Sequence, residues 1–304
     1  MHINRLLSFY CFLLICALLF SQQTISQLPD FSKVTNVHSG DSANIDYLIK
    51  NGVYQKKGKV IAWFPKDSLS NKRMHEILDT LNIGITAAEK FIKAPLFWQV
   101  QQKNDYYTFY FRLDSFISHA SFAGFVSIPY WRIKEGKAPW LHEAIHEMLN
   151  TKRGNWLNAT VSRKDLSENM PLWLSEGLPE YIATKVSQQH NLPHFDPHSN
   201  DYYKNVDSLC NEDLKKEKGE YILSHIGKKG VMLELFGKDR RTFAPAFYHC
   251  SCSFVKYLAE QHGIKTLLTG LSAYPKEHEE IENSIPLSLE KSKALWIQKL
   301  KLYN

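Results

Sequence analysis

No apolar run in the 304 residues is long enough to cross a membrane comfortably; the longest, Leu6 to Phe20, falls short of the about twenty residues a span needs. Arg5 precedes it and Thr24-Ile25-Ser26 follows, which is the charged, apolar, small-residue order of a secretory signal peptide. Residues 1–26 are therefore expected to be removed on export, the alternative being that they stay as an N-terminal anchor. Cysteine is scarce. Of five, Cys11 and Cys16 belong to the leader, leaving Cys210, Cys250 and Cys252, enough for one disulfide from Cys210 to one of the other two or for three buried thiols. Internal repeats and low-complexity tracts are absent, which excludes a solenoid or a biased tail. Charge is not concentrated either: the net +6 comes from dispersed lysines, so nothing in the chain requires a nucleic-acid partner.

What is present suffices for a sizeable core, with 44% hydrophobic residues. Gln27 to Lys59 is polar and irregular and reads as an N-terminal extension. Lys59 to Phe64 is a buried-strand run closed by Pro65. Ser70 offers a cap to a helix in which Met74, Leu78, Leu81, Ile85, Ala88 and Phe91 recur at helical spacing, ending before Ala94-Pro95. Tyr106 to Leu113 is aromatic and β-prone. Phe125, Val126, Ser127 and Ile128 form a short strand stopped by Pro129, as suits a sheet edge. From Asp207 onward the pattern is mainly helical, strongest over Phe243 to His262 before Gly263, followed by a short helix Ile264 to Leu271. Ser288 caps a last helix using Leu295, Trp296 and Leu300.

The chemistry is concentrated in His142-Glu143-Ala144-Ile145-His146, on a helix opened by Pro139 and given a buried face by Leu141, Ile145, Met148 and Leu149. Residues four apart on a helix lie one above the other, so His142 and His146 can place two imidazole nitrogens on one ion. Glu143, rotated about 100° away, can reach a water at the metal without binding the metal itself. The bland reading is a helix whose two histidines pair with acidic neighbours. Against it stands Pro171 to Tyr181, which places Glu176 where a third ligand is needed and Glu180 four residues on, where it can accept a hydrogen bond from a ligating imidazole. Two imidazoles and a carboxylate with an open position suit one Zn²⁺ per chain. Pro179 sits between the two glutamates and predicts either a helix that starts near Leu178 or a bend between Glu176 and Glu180. The polar stretch 151–169, with the sequon Asn158-Ala159-Thr160, connects the two motifs. His190, His194 and His198 also recur every four residues, but Pro193 and Pro197 make a loop the expectation there rather than a second metal face.

Together the two motifs resemble those of the gluzincin metallopeptidases, the thermolysin-like and membrane-aminopeptidase-like group, whose third ligand follows on a later helix, often within Trp-Leu-x-Glu-Gly-Leu-Ala-Glu-Tyr. The resemblance spans roughly residues 55–302, though only the metal motifs are specific. It implies an α+β, thermolysin-like fold: an N-terminal lobe with a small twisted sheet and helices (27–150), a helical C-terminal lobe carrying Glu176 (151–304), and zinc between them. It further implies peptide-bond hydrolysis with Glu143 as base, a peptide or protein substrate, and Phe125 to Ile128 as the edge strand that holds it in extended form. Tyr248, ten residues before Leu258 within Tyr248-His249-Cys250-Ser251-Cys252-Ser253-Phe254-Val255-Lys256-Tyr257-Leu258, matches the Tyr with which the aminopeptidase branch stabilises the transition state. His249 is the rival donor, and simple packing at a helix start is the bland alternative. Pro179 departs from the family's usual Ala. The Gly-x-Met-Glu-Asn stretch that holds a substrate's amino terminus in that branch is missing, which weighs against aminopeptidase activity. Two other functions fit the same residues: a catalytically silent module gripping peptides or cell-surface polymers, and a zinc hydrolase of a non-protein substrate.

Overall fold

The computed structural model describes residues 39–93, 106–113, 118–121, 125–152, 171–192, 200–271 and 277–301. The leader at 1–26, the sequon at Asn158, and His194 and His198 lie outside the described residues. The architecture is α+β, a five-stranded mixed sheet with helices in the N-terminal part followed by a helical C-terminal part.

In chain order the sheet lobe comprises α1 (Ser39–Asn51), β1 (Val53–Lys57), β2 (Val60–Phe64), α2 (Asn71–Ile92), β3 (Tyr107–Arg112), β4 (His119–Ser121), β5 (Phe125–Pro129), α3 (Tyr130–Lys134) and α4 (Trp140–Lys152). Its strands lie in the order β1-β2-β3-β5-β4, with β2, β3 and β5 parallel and the outer two antiparallel to their neighbours. Side chains alternate across a strand, and here both faces are buried. Val60, Ala62, Phe64, Phe109, Phe111, Val126 and Ile128 join the main core, while Ile61, Trp63, Tyr110 and Phe125 meet Ile45 and Leu48 of α1 on the other face. Continuous burial on both sides explains why Val60 to Phe64 reads as an unbroken apolar run.

Two expectations need correction. Residues 39–57 are not an irregular extension: they form α1 and β1, which cover one sheet face and pair with β2. Phe125 to Ile128 is not the sheet edge. The strand carrying Phe125, Val126, Ser127 and Ile128 is hydrogen-bonded on both sides, to β3 and to β4, and on that side the outermost described strand is the three-residue β4, β1 being outermost on the other. Pro129 stops the strand at its end without exposing its flank.

The helix predicted from Ser70 forms as α2. Its cap hydroxyl accepts the Arg73 N–H at 3.2 Å, and the helix ends with Lys93 in the left-handed region (φ 55°). Its buried face includes Met74, Leu78, Leu81, Ile85 and Ala88, and Gly84 opens the space taken by the Trp140 ring at the start of α4. A Cβ at residue 84 would lie 2.4 Å from that ring, so α2 fixes where the His142 helix begins.

The remaining elements are α5 (Leu172–His190), α6 (Asn200–Leu214), α7 (Gly219–His225), a 3₁₀ turn (Leu233–Phe236), α8 (Arg240–His262), α9 (Ile264–Gly270), α10 (Glu277–Ser284) and α11 (Leu289–Lys301). α5 is buried around most of its circumference, packed by α8, α2, α4 and α6. It starts at Leu172 and continues through Pro179 to His190, so the start near Leu178 is ruled out; the Ser175 carbonyl loses its usual donor because Pro179 has no N–H. His190, expected in a loop, is the last residue of this helix. α11 begins after Ser288, whose hydroxyl accepts the Lys291 N–H at 3.3 Å; Trp296 and Leu300 are buried as expected, whereas Leu295 is exposed. No described helix is long and apolar enough to cross a membrane.

Candidate metal centre

Three helices converge on one point. α4 presents His142 and His146 one turn apart, with their ring centroids 4.6 Å from each other. α5 brings Glu176 to face them. His142 Nε2 and His146 Nε2 are 2.9 Å apart, and each lies 3.4 Å from Glu176 Oε2. Four tetrahedral ligand atoms held about 2.1 Å from a zinc ion stand about 3.4 Å from one another. Two of the three separations match that spacing and the third is slightly tighter, so the donor set and the triangle both fit zinc. Among the described residues this is the group of three such donors that gathers closely enough to hold an ion, all its ligand atoms lying within 4.8 Å of one another.

The charges are arranged for a cation. Burial opposes ionisation of Glu176, yet the facing His146 and His142 overcome it and hold the carboxyl well below the usual carboxylate range. Burial likewise opposes charge on His142, and hydrogen bonding to Glu176 and Glu180 outweighs it, holding the imidazole well above the ordinary histidine range. A metal ion would satisfy the same carboxylate by replacing those protons. Glu180, buried one turn beyond Glu176, has Oε2 2.7 Å from His142 Nδ1, the ring nitrogen opposite the one aimed at the site. The intact helix across Pro179 is what places it there.

Glu143 lies on the sheet side of the centre. Its Oε2 accepts the backbone N–H of Ala120 in β4 at 2.9 Å, tying the carboxylate to the sheet edge. Glu147, one turn on and fully buried, is pushed well above the carboxylate range by burial and then by the charge of Glu143.

α8 closes the other side. The Tyr248 ring is 6.2 Å from that of His142, and its hydroxyl is pushed up, first by burial and then by the charge of Glu176. His249 is engaged away from the centre, its Nδ1 2.7 Å from Asp213 Oδ2 on α6. The same α6–α8 contact carries a disulfide from Cys210 to Cys250 and hydrogen bonds from Ser253 and Lys256 to Asp207, with Cys252 left as a buried thiol. Where α8 crosses α5 the helices nearly touch: a Cβ on Gly177 would sit 2.6 Å from the Ser251 carbonyl oxygen. Ala120, Asp213 and Gly177 went unnoticed in the sequence; only Gly177, adjacent to Glu176, carried a signal, since a helical glycine often marks a close helix approach.

No family model matches the chain, and no curated protein matches it. Among solved structures it is similar to the M1 zinc metallopeptidase of Deinococcus radiodurans, in its unsubstituted form and as a point mutant. Both show 13% sequence identity and a TM-score of 0.38, covering 81% of this chain and 51% of the other. The chain thus spans about half the length of the solved structures it is similar to.

Proposed function

We propose that this chain is a gluzincin-type zinc metallopeptidase. The observation that carries the reading is the triangle of His142, His146 and Glu176 with Glu143 beside it but outside the ligand set. His142, His146 and Glu176 would hold the ion, which when bound would supply a Lewis acid for the scissile carbonyl and lower the pKa of water toward neutrality. Glu143, held by Ala120, takes the proton of the attacking water and delivers it to the leaving amine. Tyr248 donates a hydrogen bond to the carbonyl oxygen as charge develops on it; burial keeps its hydroxyl protonated for that purpose. Glu180 fixes the His142 ring and its tautomer.

An extended peptide substrate would add to the sheet at β4, which is the outermost described strand on that side and sits against the base. Export is part of this proposal, supported by the charged-apolar-small leader and by the Cys210–Cys250 disulfide, a bond expected in an oxidising compartment. N-terminal sequencing of the exported protein should then begin near Gln27.

The test is hydrolysis of a peptide library by the purified mature chain, with and without chelator. Zinc should be present at about one equivalent. Glu143→Gln should keep the metal and lose hydrolysis by about 100-fold or more, because the base goes and the ligands stay. Full activity in that variant would overturn the mechanism. Metal-dependent peptide binding without cleavage by the wild type would favour a binding module instead.

A further inference from the structure

Asp207, Cys210 and Asp213 recur every third residue along α6, and each is bonded to α8. Asp207 accepts the Ser253 hydroxyl at 2.6 Å and pairs with Lys256 Nζ at 2.8 Å, Cys210 is bonded to Cys250, and Asp213 Oδ2 accepts His249 Nδ1 at 2.7 Å. As α6 advances its partners run backwards along α8, so the helices lie antiparallel and the contacts form a ladder. The last two rungs arrive at consecutive residues, His249 and Cys250, and Tyr248 is their immediate neighbour. On the other flank Ser251 presses its carbonyl against Gly177, the residue after Glu176. The three residues that follow Tyr248 are thus fixed in turn, two to α6 and one to the helix of the third ligand.

The final rung is not one that the stability of α6 would select. Asp213 is buried in the last turn of that helix, where the carbonyl end of the dipole disfavours a carboxylate and no basic residue of the turn offsets it. Lys216 reaches Asp213 Oδ1 from beyond the helix end, but through a side chain that is itself exposed. The other oxygen is given to the imidazole beside Tyr248. Because residues 249 and 250 share one turn of a stiff helix, the ion pair and the disulfide oppose the same displacement. Either one keeps that turn against α6, and only removal of both frees it on this side. His142, His146 and Glu176 lie on α4 and α5, outside the ladder. A shift of about 1 Å in a group that acts in the transition state is enough to cost much of its effect.

We infer that Asp213, acting through His249, is a positioning residue for Tyr248, and that this role is redundant with the Cys210–Cys250 bond. Either tie holds the phenol toward His142, whose ring lies 6.2 Å away, and loss of both releases it. Turnover then depends on Asp213 only when the disulfide is open. The inference rests on the peptidase reading for the part Tyr248 plays, but the placement of the ring can be read without turnover.

The experiment compares the zinc-loaded mature chain with three variants: Asp213→Ala, Cys210→Ser with Cys250→Ser, and all three substitutions together. Each is made with and without Tyr248→Phe. Removing one tie should change kcat by about two-fold or less. Removing both should lower it about ten-fold with KM nearly unchanged, the size of the Tyr248→Phe effect, and should change nothing further in the Tyr248→Phe background. Asp213→Asn in place of Asp213→Ala should restore most of the loss, since its carboxamide oxygen still accepts the imidazole N–H. Fluorine NMR of chains labelled with 3-fluorotyrosine supplies the readout that needs no substrate. The Tyr248 resonance, identified by its absence from Tyr248→Phe, should hold its position in the single-tie variants and move toward that of an exposed tyrosine when both ties are cut. Melting curves check that each variant is folded; should the combined one not be, Asp213→Ala assayed before and after reduction gives the same comparison. An unmoved resonance overturns the inference, as does a loss equal to the product of the two single losses, or one that recurs without the phenol. A resonance that moves as expected in a chain whose wild type cuts no peptide would sink the peptidase reading and leave the two ties standing. Peptide cleavage that is untouched by Tyr248→Phe would do the reverse.

Discussion

Oε2 of Glu180 lies 2.7 Å from Nδ1 of His142, on the side of the ring away from the metal triangle. A partner in that place fixes which nitrogen is free to bind an ion and raises its basicity. Glu180→Ala should therefore weaken zinc binding about 10- to 100-fold while leaving the three ligands in place. Competition against a chromophoric chelator reads this directly, and an unchanged zinc affinity would mean that the pair is only structural.

Tyr248 and His249 are neighbours in sequence and diverge in space, one ring facing His142 and the other tied to Asp213. Tyr248→Phe should lower kcat about ten-fold or more, with KM and zinc content nearly unchanged, because the lost hydrogen bond is made mainly in the transition state. His249→Ala should affect melting temperature more than kcat. Steady-state kinetics on one cleaved peptide decides it: a fully active Tyr248→Phe beside an inactive His249→Ala would pass the role to the histidine.

Protons and zinc compete for the same nitrogen. In the metal-free site the carboxylates hold His142 well above the ordinary histidine range, so at neutral pH a proton must leave when zinc binds. The sign follows: zinc affinity rises with pH up to that raised value and falls as the site is acidified, by about ten-fold per pH unit for one proton released. Chelator competition at several pH values around neutrality measures the slope, and a flat profile would contradict the protonated state of His142.

The metal motif was legible because its geometry is local. His142 and His146 are fixed by one helical turn, whereas Glu176 was legible through a second motif that resembles the gluzincin pattern, and Pro179 left the place of Glu180 open until the helix proved continuous across it. Strand order is not local in this way. Phe125 to Ile128 looked like an edge because Pro129 ends it, yet the outermost described strand on that side is three residues, His119 to Ser121, too short to show any alternation. α1 escaped notice for a related reason: Ile45 and Leu48 are buried only because Ile61, Trp63, Tyr110 and Phe125 offer a second apolar sheet face for them to cover.

The Cys210–Cys250 disulfide closes a separation of 40 residues and joins α6 to the turn of α8 that carries Tyr248. Replacing both cysteines with serine should lower stability by about 2–4 kcal/mol, chiefly by freeing the unfolded chain. Denaturant titration of that variant beside the oxidised wild type gives the difference. No loss would indicate that the bond does not form in the native protein.

Gly177 gives the helix that holds the third ligand an unusual relation to protein engineering. Replacing a mid-helix glycine by alanine ordinarily raises stability by about 1 kcal/mol, because it removes backbone freedom from the unfolded chain. Here the new methyl would meet the Ser251 carbonyl, a rigid neighbour, and the two helices would have to move apart. Glu176 rides on one of them and Tyr248 on the other, so a routine thermostabilising substitution would be felt first as a widened gap between ligand and phenol. Helical propensity has been given up at this one position in exchange for proximity.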